Sequence, residues 1–239
     1  MNTVKINRQN CRMVAHRGCS GLERENTNAA FIAAANRSYY GIETDIHSTL
    51  DGEYVLFHDN TTARIGIDSM EVEKTTFATL RSLLLTDRDG TKSRWDLRIS
   101  TLEEYIGICK RYEKIAVLEL KNSFTREQIF EICEKIEALG YMEGVIFISF
   151  KYDNLVYLRE KYPTQAAQFL TKEYTEDLID RLKAQNLDLD IHYPALTEEN
   201  IKALHDAGII VNCWTVDDPE VAEQLIAWGV DYITSNILE

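Results

Sequence analysis

Ionisable side chains are concentrated between residues 14 and 59 of this 239-residue chain. His16 and Arg17 come first, Glu43 and Asp45 lie in the middle, and His58 comes near the end of the stretch. Groups of this kind are costly to bury unless they are paired or bind a metal. The residues around them are typical of buried strands, so the pattern predicts an active site rather than scattered surface charge.

Two predicted strands each carry carboxylates at alternate positions. Because side chains alternate between the two faces of a strand, Glu43, Asp45 and His47 share one face of the second strand. By the same parity, Glu119 and Lys121 share one face of the third strand. Three carboxylates without a thiolate suit a hard divalent cation such as Mg²⁺ or Ca²⁺. The structural alternatives are a polar edge strand with a solvated face and a Glu119–Lys121 ion pair.

Two histidines and a tryptophan are expected at strand ends. His16 ends the first predicted strand, and a hairpin returns His58 to the same end, where the active sites of barrel enzymes lie. Imidazoles that titrate near neutral pH form a natural acid and base pair. Arg17 fits either a phosphate contact or a surface ion pair, and Trp214 either walls the pocket or packs in the core. His47 is interpreted as a supporting residue.

The elements that must position these residues alternate along the chain. The predicted strands cover residues 12–16, 41–48, 115–121, 145–150, 166–170, 187–192, 209–216 and 230–234. The predicted helices cover residues 28–37, 101–112, 125–139, 154–161, 175–185, 197–207 and 219–228. Eight strands alternating with helices over this length predict an α/β fold, a TIM (β/α)8 barrel that occupies residues 1–239 as one domain. The first strand is followed by no G-x-G-x-x-G, which disfavours a dinucleotide site.

One segment interrupts the alternation after the second strand. Residues at about 60–98 are too many for an ordinary connection, and we interpret them as a small insertion that caps the barrel mouth. A Leu-rich stretch near residues 76–85 predicts a helix within it. Asp51 and Gly52 form a strong tight-turn signal between two short strands, so the chain is expected to fold back and return His58 to the strand end.

The composition excludes several classes of partner. A net charge of -13 repels nucleic acid and anionic lipid, and we find no basic patch that would offset it. The five cysteines are odd in number and form no C-x-x-C pair, so we expect reduced thiols rather than disulfides or a zinc site. The polar N-terminus and the lack of a long apolar run predict a cytoplasmic protein without stable membrane insertion. Trp95 and Trp228 are expected to pack in the cap or the core.

Several short motifs together resemble the glycerophosphodiester phosphodiesterase family. In chain order they are His16-Arg17-Gly18, Glu25-Asn26-Thr27, Glu43-x-Asp45, Asp51-Gly52, His58-Asp59, Glu119-x-Lys121 and Trp214-Thr215-Val216. Each motif alone is weak evidence, but the ordered set is specific and runs from Val14 to about Asn236. The resemblance implies a TIM barrel with a small insertion and metal-dependent hydrolysis of glycerophosphodiesters to sn-glycerol 3-phosphate and an alcohol.

The resemblance also implies a role for each matching residue. It implies that Glu43, Asp45 and Glu119 bind one divalent cation, Mg²⁺ or Ca²⁺, and that His16 and His58 are the acid and base. It implies that Arg17 and Lys121 contact the phosphate and that Trp214 lines the glycerol side of the pocket. Glu25 and Asn26 would support the site from behind. The implied partner is a small-molecule glycerophosphodiester, and the oligomeric state stays open. The sequence departs from the family where Arg24 and Ser100 replace prolines and where Ser235-Asn236-Ile237 replaces Asp-x-Pro. None of these changes removes a catalytic group, although Arg24 near the mouth leaves the preferred head group open.

The mechanism that we infer is a hypothesis with two rivals. A cation would bridge a phosphate oxygen and the glycerol 2-hydroxyl, and a cyclic phosphate would form and then open with water. In this hypothesis His58 is the base and His16 the acid, and the two exchange roles in the second step. One rival is a related barrel that acts on lysophospholipids or sphingolipids and releases the cyclic product. The other is a barrel that binds phosphodiesters without cleaving them.

Overall fold

A computed structural model of the chain describes residues 2–66 and 68–239. Met1 and Ile67, which fall in the predicted N-terminal segment and the predicted insertion, lie outside the described residues. The strands are β1 (Arg12–Ala15), β2 (Gly41–Ser48), β3 (Tyr54–Leu56), β4 (Ser100–Thr101), β5 (Ile115–Leu120), β6 (Val145–Ser149), β7 (Ala167–Thr171), β8 (Asp188–His192), β9 (Val211–Trp214) and β10 (Tyr232–Ser235). The helices are α1 (Asn28–Ala35), α2 (Phe77–Ser82), α3 (Leu102–Arg111), α4 (Arg126–Ala138), α5 (Tyr152–Lys161), α6 (Leu178–Ala184), α7 (Glu198–Asp206) and α8 (Pro219–Ala227).

The parallel strands close into a barrel. Around the ring the order is β1, β2, β5, β6, β7, β8, β9 and β10, and β10 pairs in parallel with β1 to complete the circle. Within the described residues these eight strands, with helices between them, confirm the predicted TIM barrel. The carboxyl ends of all the parallel strands therefore meet at one mouth, which is where the predicted site residues were expected.

Local sequence signals set the helix starts. Thr101, Thr125 and Thr197 each accept a hydrogen bond from the backbone nitrogen three residues later and receive a return contact, which completes a capping box at α3, α4 and α7. Each box satisfies backbone groups that a helix start otherwise leaves unpaired. In the part of the chain that the structure describes, every helix is too short or too polar to cross a bilayer.

Two apolar layers hold the barrel together. Outward side chains such as Ile42 and Ile46 of β2 pack under the helices, and each is fully buried. Inward side chains, among them Val14, Val117 and Tyr232, fill the barrel interior. Burying one such apolar side chain stabilises the fold by about 1.5–3 kcal/mol. All five cysteines are buried free thiols, as predicted.

The hairpin after β2 forms as predicted. Strand β3 runs antiparallel to β2, with Ile46 opposite Leu56, and Gly52 adopts a φ of +83° that favours glycine. The Asp51 carboxylate accepts hydrogen bonds from the Thr49 hydroxyl and the Phe77 backbone nitrogen, so the turn is fastened to α2. This return brings His58 back to the carboxyl end of β2.

The predicted insertion packs on a small apolar cluster that it shares with the hairpin. Its members include Phe57 from the hairpin and Val72, Leu80 and Leu97 from the insertion. Helix α2 is shorter than the predicted residues 76–85, because the chain becomes extended at Leu83. The packing prediction for Trp95 is wrong, since this side chain is 80% exposed. Trp228, in contrast, packs against the main core as expected.

Candidate active site

Three carboxylates from neighbouring strands converge at the barrel mouth. Glu43 and Asp45 come from β2 and Glu119 from β5, where Asp45 lies opposite Glu119 in the register. One carboxylate oxygen from each residue lies within 4.8 Å of the other two. All three side chains are buried, with 4%, 1% and 6% exposure respectively. The parity argument for inward carboxylates therefore matches the structure.

The three carboxylates differ in their hydrogen-bond donors and neighbouring cations. Asp45 accepts hydrogen bonds from Lys121 Nζ at 3.0 Å and from Asn26 Nδ2 at 2.8 Å, and Arg17 Nε lies 3.7 Å from its carboxylate. Among the described residues, the Glu43 carboxylate accepts a hydrogen bond only from the Arg17 backbone nitrogen, at 2.8 Å. Glu119 Oε2 accepts from Lys121 at 3.2 Å, whereas its buried Oε1 has no hydrogen-bond partner among the described residues.

These contacts give the carboxylates different pKa values. Burial raises the pKa of Asp45, but Lys121 and Arg17 outweigh it and hold that pKa well below its usual range. Burial and the Asp45 charge raise the pKa of Glu43 from 4.5 to about 8 and that of Glu119 well above 4.5. Crowded acids, an unpartnered buried oxygen and an all-oxygen donor set fit a hard divalent cation. Such an ion would favour the ionised form of all three.

His16 is held by the side-chain amide of Asn236, the residue that follows β10. Its Nδ1 lies 2.8 Å from Asn236 Oδ1, which also accepts a hydrogen bond from the Ser20 hydroxyl at 2.6 Å. The Asn236 Nδ2 donates to Asp217 at 2.6 Å, and because a carboxylate only accepts, this contact fixes the orientation of the amide. His16 Nδ1 must then carry its hydrogen, which leaves the Nε2 lone pair free. Burial, reinforced by Arg17, lowers the pKa of His16 to about 4.

His58 is held by a carboxylate instead. Its Nδ1 lies 2.7 Å from Asp59 Oδ1, and Asp59 Oδ2 accepts from Arg64 Nε at 2.7 Å. Burial, with the charges of Arg17 and Lys121, lowers the pKa of His58, while the Asp45 charge and the Asp59 hydrogen bond oppose that effect. An imidazole backed by a carboxylate is better able to carry a proton than one backed by a neutral amide.

Glu25 and Asn26 lie behind the site and fix its charged groups. Glu25 accepts hydrogen bonds from Arg17 at 2.8 Å and from both terminal nitrogens of Arg64 at 2.6 and 2.8 Å. Despite burial, the Arg64 and Arg17 bonds lower the pKa of Glu25 to about 2. Asn26 donates to Asp45 and accepts from the Thr44 hydroxyl at 2.8 Å.

A cavity opens between the histidines and the acids. One side is charged, and the other is apolar, with Trp214, Phe150 and Leu170 in its wall. The Trp214 ring packs edge-on against Phe150 at 5.6 Å and lies 5.1 Å from the His192 ring. The cavity thus offers a cationic and acidic face opposite an aromatic one.

The structure brings most of the predicted site residues to this cavity. Its lining includes His16, Arg17, Glu43, His58, Glu119, Lys121 and Trp214. Asp45, Glu25 and Asn26 contact these residues from behind. His47, in contrast, is buried beside Glu73 and Asn122, where the barrel meets the insertion.

Sequence reasoning missed several residues of the site. Asn236 contacts His16 and is itself held by Asp217, Arg64 holds Asp59 and Glu25, and Asp190 lines the cavity. The alternation of side chains along a strand could have predicted Asp190, because it occupies an inward position of the predicted strand at 187–192. The others come from loops or, for Arg64, from a single 3-10 turn, and contacts from such segments carry no periodic signal.

Comparison with known proteins identifies the family of the chain. The model of the glycerophosphoryl diester phosphodiesterase family matches residues 16–238. A glycerophosphodiester phosphodiesterase of Caldanaerobacter subterraneus is 28% identical over 230 residues, covering 94% of this chain and 93% of that protein. A phosphodiesterase of Oleispira antarctica, solved with its product sn-glycerol-3-phosphate, has a TM-score of 0.84 and 25% identity, with 95% and 93% coverage. A Parabacteroides distasonis glycerophosphodiester phosphodiesterase has a TM-score of 0.78 and 27% identity, covering 95% of this chain and 93% of its own.

Proposed function

The chain belongs to the glycerophosphoryl diester phosphodiesterase family, and from this premise we propose that it hydrolyses glycerophosphodiesters to sn-glycerol 3-phosphate and an alcohol. The observation that carries the proposal is the convergence of three buried carboxylates beside two histidines at the mouth of one barrel. Relatives with this activity cover nearly the whole chain. A site with both a proton donor and a proton acceptor is suited to cleavage and exceeds what binding requires.

We propose Glu43, Asp45 and Glu119 as the ligands of one divalent cation, Mg²⁺ or Ca²⁺. The unpartnered Oε1 of Glu119 and the raised pKa of Glu43 support this assignment. When bound, such an ion supplies positive charge that neutralises a phosphate oxygen and lowers the pKa of a nearby hydroxyl. Lys121, whose pKa Asp45 and Glu119 raise despite burial, keeps its charge beside the acids.

The hydrogen-bond partners of the two histidines favour His16 as the base and His58 as the acid. His16, backed by the neutral Asn236 amide and with its pKa lowered to about 4, is a neutral base at pH 7 with its lone pair on Nε2. His58, backed by Asp59, is the better carrier of a proton and hence the acid. This assignment reverses our sequence-based hypothesis, in which His58 was the base.

The proposed reaction proceeds in two proton-coupled steps. His16 accepts the proton of the glycerol 2-hydroxyl as its oxygen attacks phosphorus, and His58 donates a proton to the leaving alcohol oxygen. The resulting cyclic phosphate is opened by water while the histidines exchange roles. Arg17 and Lys121 are proposed to contact the phosphate, and Trp214 the glycerol carbons, because these side chains line opposite sides of the cavity.

Purified protein tests the proposal directly. Glycerophosphocholine or glycerophosphoethanolamine is supplied with Mg²⁺, Ca²⁺ or EDTA, and sn-glycerol 3-phosphate is measured with a coupled assay. We expect turnover with a divalent cation and loss of turnover with EDTA, in His16→Ala and in His58→Ala. His205→Ala, at a histidine whose ring contacts Asp231, is the matched control and should retain full activity. Absence of turnover with every cation would refute the proposed activity.

Phosphorus NMR of the same reaction distinguishes the lysophospholipid rival. A cyclic phosphate that forms and then disappears agrees with hydrolysis in two steps. A cyclic phosphate that accumulates as the end product would instead assign the chain to the cyclising enzymes.

A further inference from the structure

Asp190 is a buried acid of the cavity that the proposed mechanism leaves without a role. It lies on β8, lines the cavity and is 2% exposed. Its Oδ1 has no hydrogen-bond partner among the described residues. A buried polar atom left unpaired destabilises a protein by about 1–3 kcal/mol, so this atom calls for a ligand.

The polar neighbours of Asp190 are engaged with one another. Asn212, its cross-strand neighbour on β9, donates to Gln168 at 3.0 Å and accepts from the Thr234 hydroxyl at 3.3 Å. On its other side Asp190 is adjacent to Leu170 of β7, which offers no polar atom in its side chain. The Asp190 carboxyl therefore lines the cavity with an oxygen that lacks a hydrogen-bond partner, whereas the polar side chains next to it are hydrogen-bonded to one another.

The position of β8 in the ring sets what Asp190 can reach. In the order β1, β2, β5, β6, β7, β8, β9, β10, strand β8 lies across the barrel from β2, which carries Glu43 and Asp45. Asp190 thus faces Glu43 and Asp45 from across the barrel and lies beside Leu170 and Trp214 of the apolar wall. It is near enough to Glu119 for that charge, together with burial, to raise the pKa of Asp190. A ligand group bound to Asp190 would lie across the cavity from β2.

We propose that Asp190 is a specificity-determining residue whose carboxyl hydrogen-bonds the terminal hydroxyl of the glycerol unit. This inference rests on the proposed function and extends it. The 2-hydroxyl is consumed in the proposed attack on phosphorus, so the terminal hydroxyl is the part of glycerol that remains free for recognition. Trp214 and Leu170 would cover the carbon chain, and Asp190 would give the hydroxyl a buried partner.

A pair of substrates tests the hydroxyl contact. Glycerophosphocholine is compared with its analogue that lacks the terminal hydroxyl, the 2-hydroxypropyl ester of phosphocholine, and choline release is measured because it is common to both. A site built to hydrogen-bond a hydroxyl rejects the analogue without it. We expect the wild-type kcat/KM to favour glycerophosphocholine by roughly tenfold to hundredfold.

Variants of Asp190 test whether this residue causes the preference for the substrate with the terminal hydroxyl. Asp190→Leu should bring the ratio of the two kcat/KM values close to one, and Asp190→Asn, which can still hydrogen-bond, should keep most of it. Asp188→Asn is the matched control, since Asp188 lies on the same strand and accepts from the Ile210 backbone nitrogen, a bond that asparagine can also make. Its ratio should equal that of the wild type.

Stability provides an independent readout. Because Asp190→Leu removes an unpaired buried carboxyl, its thermal midpoint without ligand should equal or exceed that of the wild type. An unchanged substrate ratio in Asp190→Leu, or a change that follows the head group instead of the hydroxyl, would overturn the assignment of Asp190 while leaving the hydrolase intact. If the wild type cleaves neither ester, the proposed function fails and this inference falls with it. If Asp190→Leu does not fold, Asp190→Ala takes its place in the same comparison, and a wild-type ratio near one overturns the inference by itself.

Discussion

Replacing Glu43 by glutamine should stabilise the cation-free protein. The Glu43 side chain is 4% exposed, and burial with the nearby Asp45 charge raises its pKa from 4.5 to about 8. At pH 7 the folded protein therefore keeps this proton while the unfolded chain has released it. Each pH unit above 4.5 then costs the folded state about 1.4 kcal/mol, or about 3 kcal/mol at pH 7. Glutamine removes this cost and still accepts the hydrogen bond from the Arg17 backbone nitrogen.

The stability gain from Glu43→Gln should increase with pH. For a group whose folded pKa is raised, the stability is intact below the unfolded pKa of 4.5 and is lost progressively as the pH rises to about 8. The gain from Glu43→Gln should therefore grow from about 1 kcal/mol at pH 5 to about 3 kcal/mol at pH 7.

Urea unfolding in EDTA at pH 5, 6 and 7 measures this gain. Glu223→Gln, at an exposed glutamate of α8, is the matched control and should change the free energy of unfolding by less than about 0.5 kcal/mol. With a saturating divalent cation the order should reverse, because the variant lacks one proposed ligand. A Glu43→Gln variant that is less stable than the wild type in EDTA, or whose gain does not vary with pH, would refute the account of crowded acids.

Three further predictions concern the cation, the histidine support and the thiols. A divalent cation at 100 times its Kd should raise the free energy of unfolding by about 2.7 kcal/mol, and EDTA should reverse the shift in thermal midpoint. Asn236→Leu should lower kcat about 100-fold with little change in KM, because His16 loses the partner that fixes its tautomer; a pH profile of kcat/KM unchanged from that of the wild type would contradict this role. The five buried cysteines should react with a thiol reagent only after unfolding, and rapid labelling of the native protein would contradict their burial.

The periodic parts of this molecule were predictable from sequence. Strand parity placed Glu43, Asp45 and Glu119 in the barrel because one face of a buried strand must be apolar toward the helices. The Asp51 and Gly52 turn predicted the return of His58, since few other residues favour that backbone conformation. Both inferences depend on local rules that tertiary packing reinforced here.

The nonperiodic parts were not predictable in the same way. Arg64 reaches Glu25 and Asp59 from the insertion, and Asp217 reaches Asn236 across two loops; neither spacing implies a contact. Trp95 illustrates the opposite error. A large aromatic residue is usually buried, yet the cluster of the insertion closes without this one and leaves it in solvent.

The filled interior of the barrel has a kinetic consequence. Val14, Val117 and Tyr232 occupy the space beneath the cavity, so molecules enter and depart through the mouth. In the binding mode that we propose, the glycerol unit beside Asp190 would be the first group to enter and the last to leave. The alcohol would have to diffuse away before a water molecule could take its place, and sn-glycerol 3-phosphate would compete with incoming substrate for the same opening.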